Sequence, residues 1–292
     1  MKQLRHLIAL IFCLLLPAAF AASQKPVRVE AVVDWPNNKI YLNAVLDVTG
    51  ARLGTSNAEL RRELRNELLK KLSQVADKLI QNLVDGESAA DQLAGTDLAE
   101  YWASLKVSTY QLAENRASAT LDIPLRGKGS LLAYLPLAYN TETLNEKSKS
   151  DVTLYDQRPG IAEYDSSDLE PLLYTGLIID ARHLPFEPTL DAGIYTSSGR
   201  QIYGAAYLTR TTAVRRGVAG FVSDETVADA RRRAGKRPLK VSALDAARFK
   251  GNALVISDED AARLTAHAGS RENLRRARVV VLVGSDKLRS RY

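Results

Sequence analysis

The stretch Tyr174-Thr-Gly-Leu-Ile-Ile-Asp-Ala-Arg-His-Leu-Pro-Phe-Glu-Pro188 runs from a glycine through an apolar segment into Asp180-Ala181-Arg182-His183 and two prolines. Ile178 and Ile179 are β-branched, and Pro185 and Pro188 end regular structure, so Tyr174–Ala181 reads as a strand delivering polar residues to a surface loop. Asp180 and Arg182 sit at i and i+2, on one side of a continuing strand, so a local ion pair that fixes the loop is the economical role. The competing use of Asp180, Arg182 and His183 is catalysis by a hydrolase. That would need the three side chains to converge with a serine or a second acid.

Working outward from this strand, the residues that follow alternate extended and helical patterns. Thr189–Tyr195 and Gln201–Tyr203 read as hairpin arms around Ser197-Ser198-Gly199. Residues 211–233 read as one helix despite Gly217 and Gly220, and Leu239–Val241 opens another extended segment. Ala253–Ile256 reads as a strand, and Ser257 caps the helix SDEDAARLTAHA, whose first-turn acids suit the positive end of the dipole. Helix capping suffices for the Asp258-Glu259-Asp260 cluster, although carboxylate pairing of the glycosidase kind is a matter of three-dimensional distance. Residues 271–277 form a further turn of helix. Arg278–Val283 has the unbroken apolar character of a central strand buried on both faces.

Before the opening stretch, VRVEAVVDW, PNNK and IYLNAVLDV from Val27 alternate apolar and polar residues about a turn, a hairpin with one buried face. Ser56 or Asn57 caps a helix in which Leu60, Leu64, Leu68, Leu72, Val75, Leu79 and Leu83 form one stripe ended by Asp85-Gly86. Packing on the hairpin is favoured for that stripe over a partner-binding seam. A weaker helix is expected over Ala89–Leu105, and a second hairpin over VSTYQLAENRASATLDIPL turns near Glu114-Asn115-Arg116. The expected class is α+β, with two small domains that are each an open sheet of hairpins covered by helices. Their bounds are 23–138 and 171–292, joined by a polar linker at 139–170 that carries a short strand at Val152–Tyr155.

The first 22 residues show a basic start at Lys2 and Arg5, an apolar run from Leu7 to Leu16, and small residues before a cleavage point, the layout of a secretory signal peptide. The run is shorter than the roughly 20 residues a membrane span needs. Cys13, the one cysteine of the chain, lies inside it, so the mature chain is expected to hold no thiol, disulfide or lipid anchor. The expected location is the periplasm or the medium, with no transmembrane segment after cleavage.

Charge divides unevenly. Residues 23–199 hold 18 Lys+Arg against 25 Asp+Glu, net −7, whereas 200–292 hold 20 against 9, net +11. A basic half on an exported protein suits an anionic neighbour, a lipid, an envelope polymer or an acidic protein face, and the compartment disfavours nucleic acid. Arg231, Arg232, Arg233, Lys236 and Arg237 form the densest cluster and are the candidate partner-binding residues. Their place at a helix C-terminus also suits the dipole without any ligand. Arg126-Gly-Lys-Gly-Ser130 offers backbone amides and Lys128 to an anion, but lacks phosphate-loop spacing and reads more simply as a strand-to-helix turn.

His183 and His267 are far apart and neither has a ligand-type partner at helical spacing, so no metal, cofactor or catalytic residue is expected. No serine stands in a Gly-x-Ser-x-Gly elbow, which leaves a hydrolase without a local signature.

YTGLIIDARHLPFEPTLDAGIY, GRQIYG, RRGVAGF, ALVISDEDAARL and RARVVVLV together resemble a C-terminal module of exported bacterial proteins, the FlgP-like flagellar outer-membrane lipoproteins and the flagellar assembly T-like proteins. The resemblance implies a non-enzymatic periplasmic or outer-membrane-associated protein, part of an envelope assembly around the flagellar motor, with a protein or anionic partner and with homo-oligomerisation left open. Two departures stand out. The lipid-bearing cysteine has no counterpart in the mature chain, and His183 occupies a loop position where the resemblance implies glycine. On this reading Asp180, Arg182 and His183 are a domain signature. The alternatives are a periplasmic hydrolase using those three residues, and a small-ligand carrier with an apolar cavity between its domains.

Overall fold

A computed structural model describes residues 27–49, 54–81, 101–102, 104–135, 137, 172–246 and 253–292. The signal-peptide, 139–170 linker and Val152–Tyr155 readings lie outside these residues, as do Leu83 and most of the Ala89–Leu105 helix. That helix is present at positions 101, 102 and 104.

Alternation builds the first sheet as expected. β1 (Arg28–Asp34) and β2 (Lys39–Asp47) pair antiparallel with Val33 opposite Ile40 and Ala31 opposite Leu42. β3 (Thr109–Ala113) and β4 (Arg116–Pro124) form the second hairpin, and β4 lies against β2 with Leu42 opposite Leu121. One face of the sheet buries Ala31, Val33, Ile40, Leu42, Ala44, Leu46, Ala119, Leu121 and Ile123. The helix α1 (Asn57–Gln81) lays Leu60, Leu64, Leu68, Leu72 and Val75 on that face, so the leucine stripe is core. Its start is a capping box: Ser56 Oγ accepts from Glu59 N at 3.3 Å, and the Glu59 carboxylate accepts from Ser56 N at 3.1 Å. A short helix, α2 (Leu131–Tyr134), follows β4.

The chain ends in a fifth strand of this first sheet that pattern alone does not reveal. β13 (Arg289–Arg291) pairs antiparallel with β1, giving the order β13-β1-β2-β4-β3. Arg289 Nε donates to Asp34 Oδ2 at 3.0 Å, and Tyr292 N donates to Ala31 O at 3.0 Å. The segment expected to form the second domain therefore closes in the sheet of the first.

The class is α+β, but the second half is not built of hairpins alone. Its main sheet is parallel and is formed by β5 (Leu177–Asp180), β8 (Gly220–Val222), β9 (Leu239–Ser242) and β12 (Val279–Leu282), in the order β8-β12-β5-β9. Side chains of β5 and β12 alternate between two apolar layers, Leu177, Ile179, Val279 and Val281 on one side and Ile178, Val280 and Leu282 on the other. Burial on both faces is why these strands read as unbroken apolar runs. The expected hairpin of β6 (Gly193–Thr196) and β7 (Gln201–Tyr203) is present in a smaller sheet. There β11 (Ala253–Ile256) runs parallel to β6 and is flanked by the short β10 (Asp245–Ala246), in the order β10-β11-β6-β7.

The single helix expected over 211–233 is instead α3 (Arg210–Arg216), β8 and α4 (Ala228–Ala234). Gly217, at φ 72, ends α3, a conformation that costs little without a Cβ. The apolar run Val218–Val222 then gains more by pairing with β12 than by extending a helix. α5 (Asp258–Ala266) starts at the expected Ser257 cap, whose Oγ accepts from Asp260 N at 3.0 Å. α6 (Ala268–Arg275) starts at His267, whose Nδ1 accepts from Gly269 N at 2.9 Å. A helix cap thus accounts for His267.

Candidate anion-binding cleft

At the C-terminal end of β5, Asp180 and Arg182 form the expected pair. Arg182 Nε donates to Asp180 Oδ1 at 2.9 Å and Nη2 to Oδ2 at 2.5 Å. These bonds hold the Asp180 carboxyl below its ordinary range, and the same partner raises Arg182. His183 turns elsewhere: its Nε2 lies 3.0 Å from Ala243 O, tying the loop to the segment after β9. The three signature residues therefore serve two different contacts. Gly176, at the head of the strand, has a separate reason to be glycine. A Cβ there would stand 2.5 Å from Ala234 O and 2.6 Å from Arg278 O.

The five-residue basic cluster is divided by the fold. Arg231, Arg232, Lys236 and Arg237 are exposed, whereas Arg233 is 7% exposed and turned into the protein. Arg233 Nη1 donates to Arg216 O at 2.6 Å, and Nη2 donates to Gly217 O at 2.7 Å and Val218 O at 3.0 Å. These carbonyls lie at and just beyond the C-terminus of α3, where a helix presents unpaired acceptors and negative potential. Arg126 reaches the same place from the other half, its Nη1 donating to Arg216 O at 2.7 Å. Gly220 makes room for this packing, since a Cβ there would lie 2.9 Å from Arg233 Cδ.

Around this clamp lies a cleft of about 340 Å³, bounded by the β1–β2 turn, Arg126, the end of α3, β8 and α4. Arg126, Arg215, Arg216, Arg232 and Arg233 line it, with one carboxylate, Asp229, which Arg232 pairs. Trp35, Phe221, Val222 and Val227 supply apolar wall, and the Trp35 and Phe221 rings meet edge to face with centroids 5.3 Å apart. Burial pushes the Arg233 guanidinium down to about 9, still charged at neutral pH, and lowers Arg126 and Arg216 as well. Arg233 Nε is buried with no hydrogen-bond partner among the described residues. Among the described residues the arrangement gathers three partly desolvated guanidiniums, of Arg126, Arg216 and Arg233, and two exposed ones around one carboxylate, and such a surface favours an oxyanion.

Of the Arg126–Ser130 segment, it is Arg126 that reaches the cleft; Lys128 is exposed, and Gly127 N is bonded to Val214 O at 2.7 Å. Sequence reasoning weighs the Arg126–Ser130 segment but settles on a turn, and passes over Arg215 and Arg216, so three arginines of the site go unassigned. The signal that could have found two of them is the Arg215-Arg216-Gly217 end of α3, which calls for cations at its carbonyls. Among the described residues there is no cluster of three or more His, Cys, Asp and Glu that could hold a metal, and no helix long and apolar enough to cross a membrane.

Fold and cleft together define an α+β protein with a basic pocket where the five-stranded sheet meets the parallel sheet. Residues 176–286 match a bacterial family described as Treponema pallidum Tp0624, second domain. The match spans β5 to β12 and takes in Arg215, Arg216, Arg232 and Arg233, but Trp35 and Arg126 fall outside it. No curated protein matches the chain.

Proposed function

We propose that this is a non-enzymatic, exported structural or assembly protein of the bacterial envelope that binds a protein or anionic envelope partner through its basic second half. The observation carrying this reading is the set of exposed cations at the ends of α3 and α4, Arg215, Arg231, Arg232, Lys236 and Arg237, which outnumber Asp229 on α4 and Asp224 near Arg231. The leader-like pattern of residues 1–22 supports export, and the FlgP-like resemblance of the second half supports a flagellar setting. Long-range attraction from such a face accelerates encounter with an acidic surface and weakens with salt.

Cell fractionation and purification of the native protein from envelope fractions test the reading. Recovery with envelope or flagellar basal-body components, disrupted by the combined changes Arg231→Glu, Lys236→Glu and Arg237→Glu, is the expected result. Retention in the cytoplasm, or recovery only as a free monomer, would overturn it.

A further inference from the structure

We propose that the cleft between the β1–β2 turn and α4 is a binding site for a small phosphomonoester with an aromatic or apolar body. Arg126, Arg215, Arg232 and Arg233 hold the phosphate, and the body lies against Trp35 and Phe221. This goes beyond the envelope role, because it assigns a small-molecule site whose existence does not depend on the compartment or on a macromolecular partner.

Three observations converge on it. First, among the described residues the charge lining the cleft is five guanidiniums against one carboxylate already paired by Arg232, an imbalance that suits a dianion better than a monoanion. Second, the buried Arg233 leaves Nε without an acceptor while its two Nη atoms are engaged by three carbonyls. A buried charged donor is normally satisfied, so this guanidinium, which also lines the cleft, carries charge its own surroundings do not fully answer. Third, the cavity, at about 340 Å³, is of small-molecule size, and Trp35 and Phe221 line it together with the arginines. The clamp of Arg126 and Arg233 on Arg216 O fixes the guanidiniums before any ligand arrives, which lowers the ordering cost of binding.

The test uses the purified chain at constant ionic strength, following thermal melting and tryptophan emission against phenyl phosphate, inorganic phosphate and phenol. The expected result is saturable stabilisation by phenyl phosphate, a weaker effect of inorganic phosphate and none of phenol. Arg215→Gln removes an exposed guanidinium outside the Arg233 clamp, so it should leave the unliganded melting point unchanged and weaken phenyl phosphate about tenfold. No saturable response up to about 10 mM phenyl phosphate, or an unchanged affinity in Arg215→Gln, overturns the site. Equal binding of inorganic phosphate and phenyl phosphate overturns the apolar subsite.

Phosphatidylcholine vesicles with and without phosphatidic acid distinguish the source of the phosphate. Capture by the acidic vesicles that phenyl phosphate competes away assigns a lipid head group, and binding of phenyl phosphate without capture assigns a free ester. Failure here leaves the envelope reading to its own fractionation test, and failure there leaves this site standing.

Discussion

Replacing Arg233 by Met keeps an unbranched side chain of similar reach over Gly220 but removes the buried guanidinium. Three charge-assisted bonds disappear, to Arg216 O, Gly217 O and Val218 O. Arg216 O keeps the Arg126 bond at 2.7 Å, and Val218 O keeps the Tyr203 hydroxyl at 2.6 Å. Gly217 O is the acceptor left without its arginine, at a cost of about 1–3 kcal/mol for a buried unsatisfied group. The gross loss of three charged bonds is larger, but the variant no longer desolvates a guanidinium, which returns several kcal/mol. The net expectation is a destabilisation of about 2–3 kcal/mol. For a chain of this size that lowers the melting temperature by roughly 5–10 °C. Urea denaturation and thermal melting followed by circular dichroism measure it directly. An unchanged or higher midpoint would refute the reasoning, because it would mean that burying the charge costs as much as its bonds return.

Three further outcomes are expected. Removing residues 289–292 strips β13 from β1 and breaks the Arg289–Asp34 contact, so the shortened chain should melt lower and, with an open β1 edge, associate in light scattering. Gly176→Ala should cost about 1–3 kcal/mol in urea denaturation, because a Cβ there meets two backbone carbonyls that cannot swing aside. Hydrogen bonds from Ser197 and then Ser198 hold the Asp258 carboxyl below its ordinary value. Its folded pKa is depressed, so the stabilisation is complete above the unfolded value near ~4 and is lost as pH falls through the folded value. Asp258→Asn should therefore flatten the acid limb of stability against pH below about pH 4, and a limb of unchanged slope would count against the assignment.

Much of the fold was legible because local chemistry and burial agreed. The β1–β2 hairpin, the α1 stripe, the Ser257 cap and the apolar β12 each repeat one signal at two levels, a spacing and a boundary residue. The helix expected over 211–233 shows the opposite case. Arginine and alanine there favour helix, and the decision to break at Gly217 and make β8 rests on pairing with β12, about 60 residues away in the chain. Likewise, Arg-Ser-Arg at 289–291 has no strand pattern of its own. Its pairing is set by the open edge of β1, more than 250 residues earlier.

The same division holds for the site. Sequence alone determined that the second half is basic, that Asp180 and Arg182 face one another, and that Arg231–Arg233 lie at a helix end, because charge count and i, i+2 or helical spacing are properties of neighbours. Tertiary structure alone decided that Arg233 leaves this surface cluster to clamp the end of α3. It also decided that Arg126, from β4's far end, joins it against Trp35 and Phe221. A buried cation is placed by the carbonyls that can satisfy it, and those acceptors are brought within 3 Å by sheet pairing and core packing rather than by position in the chain.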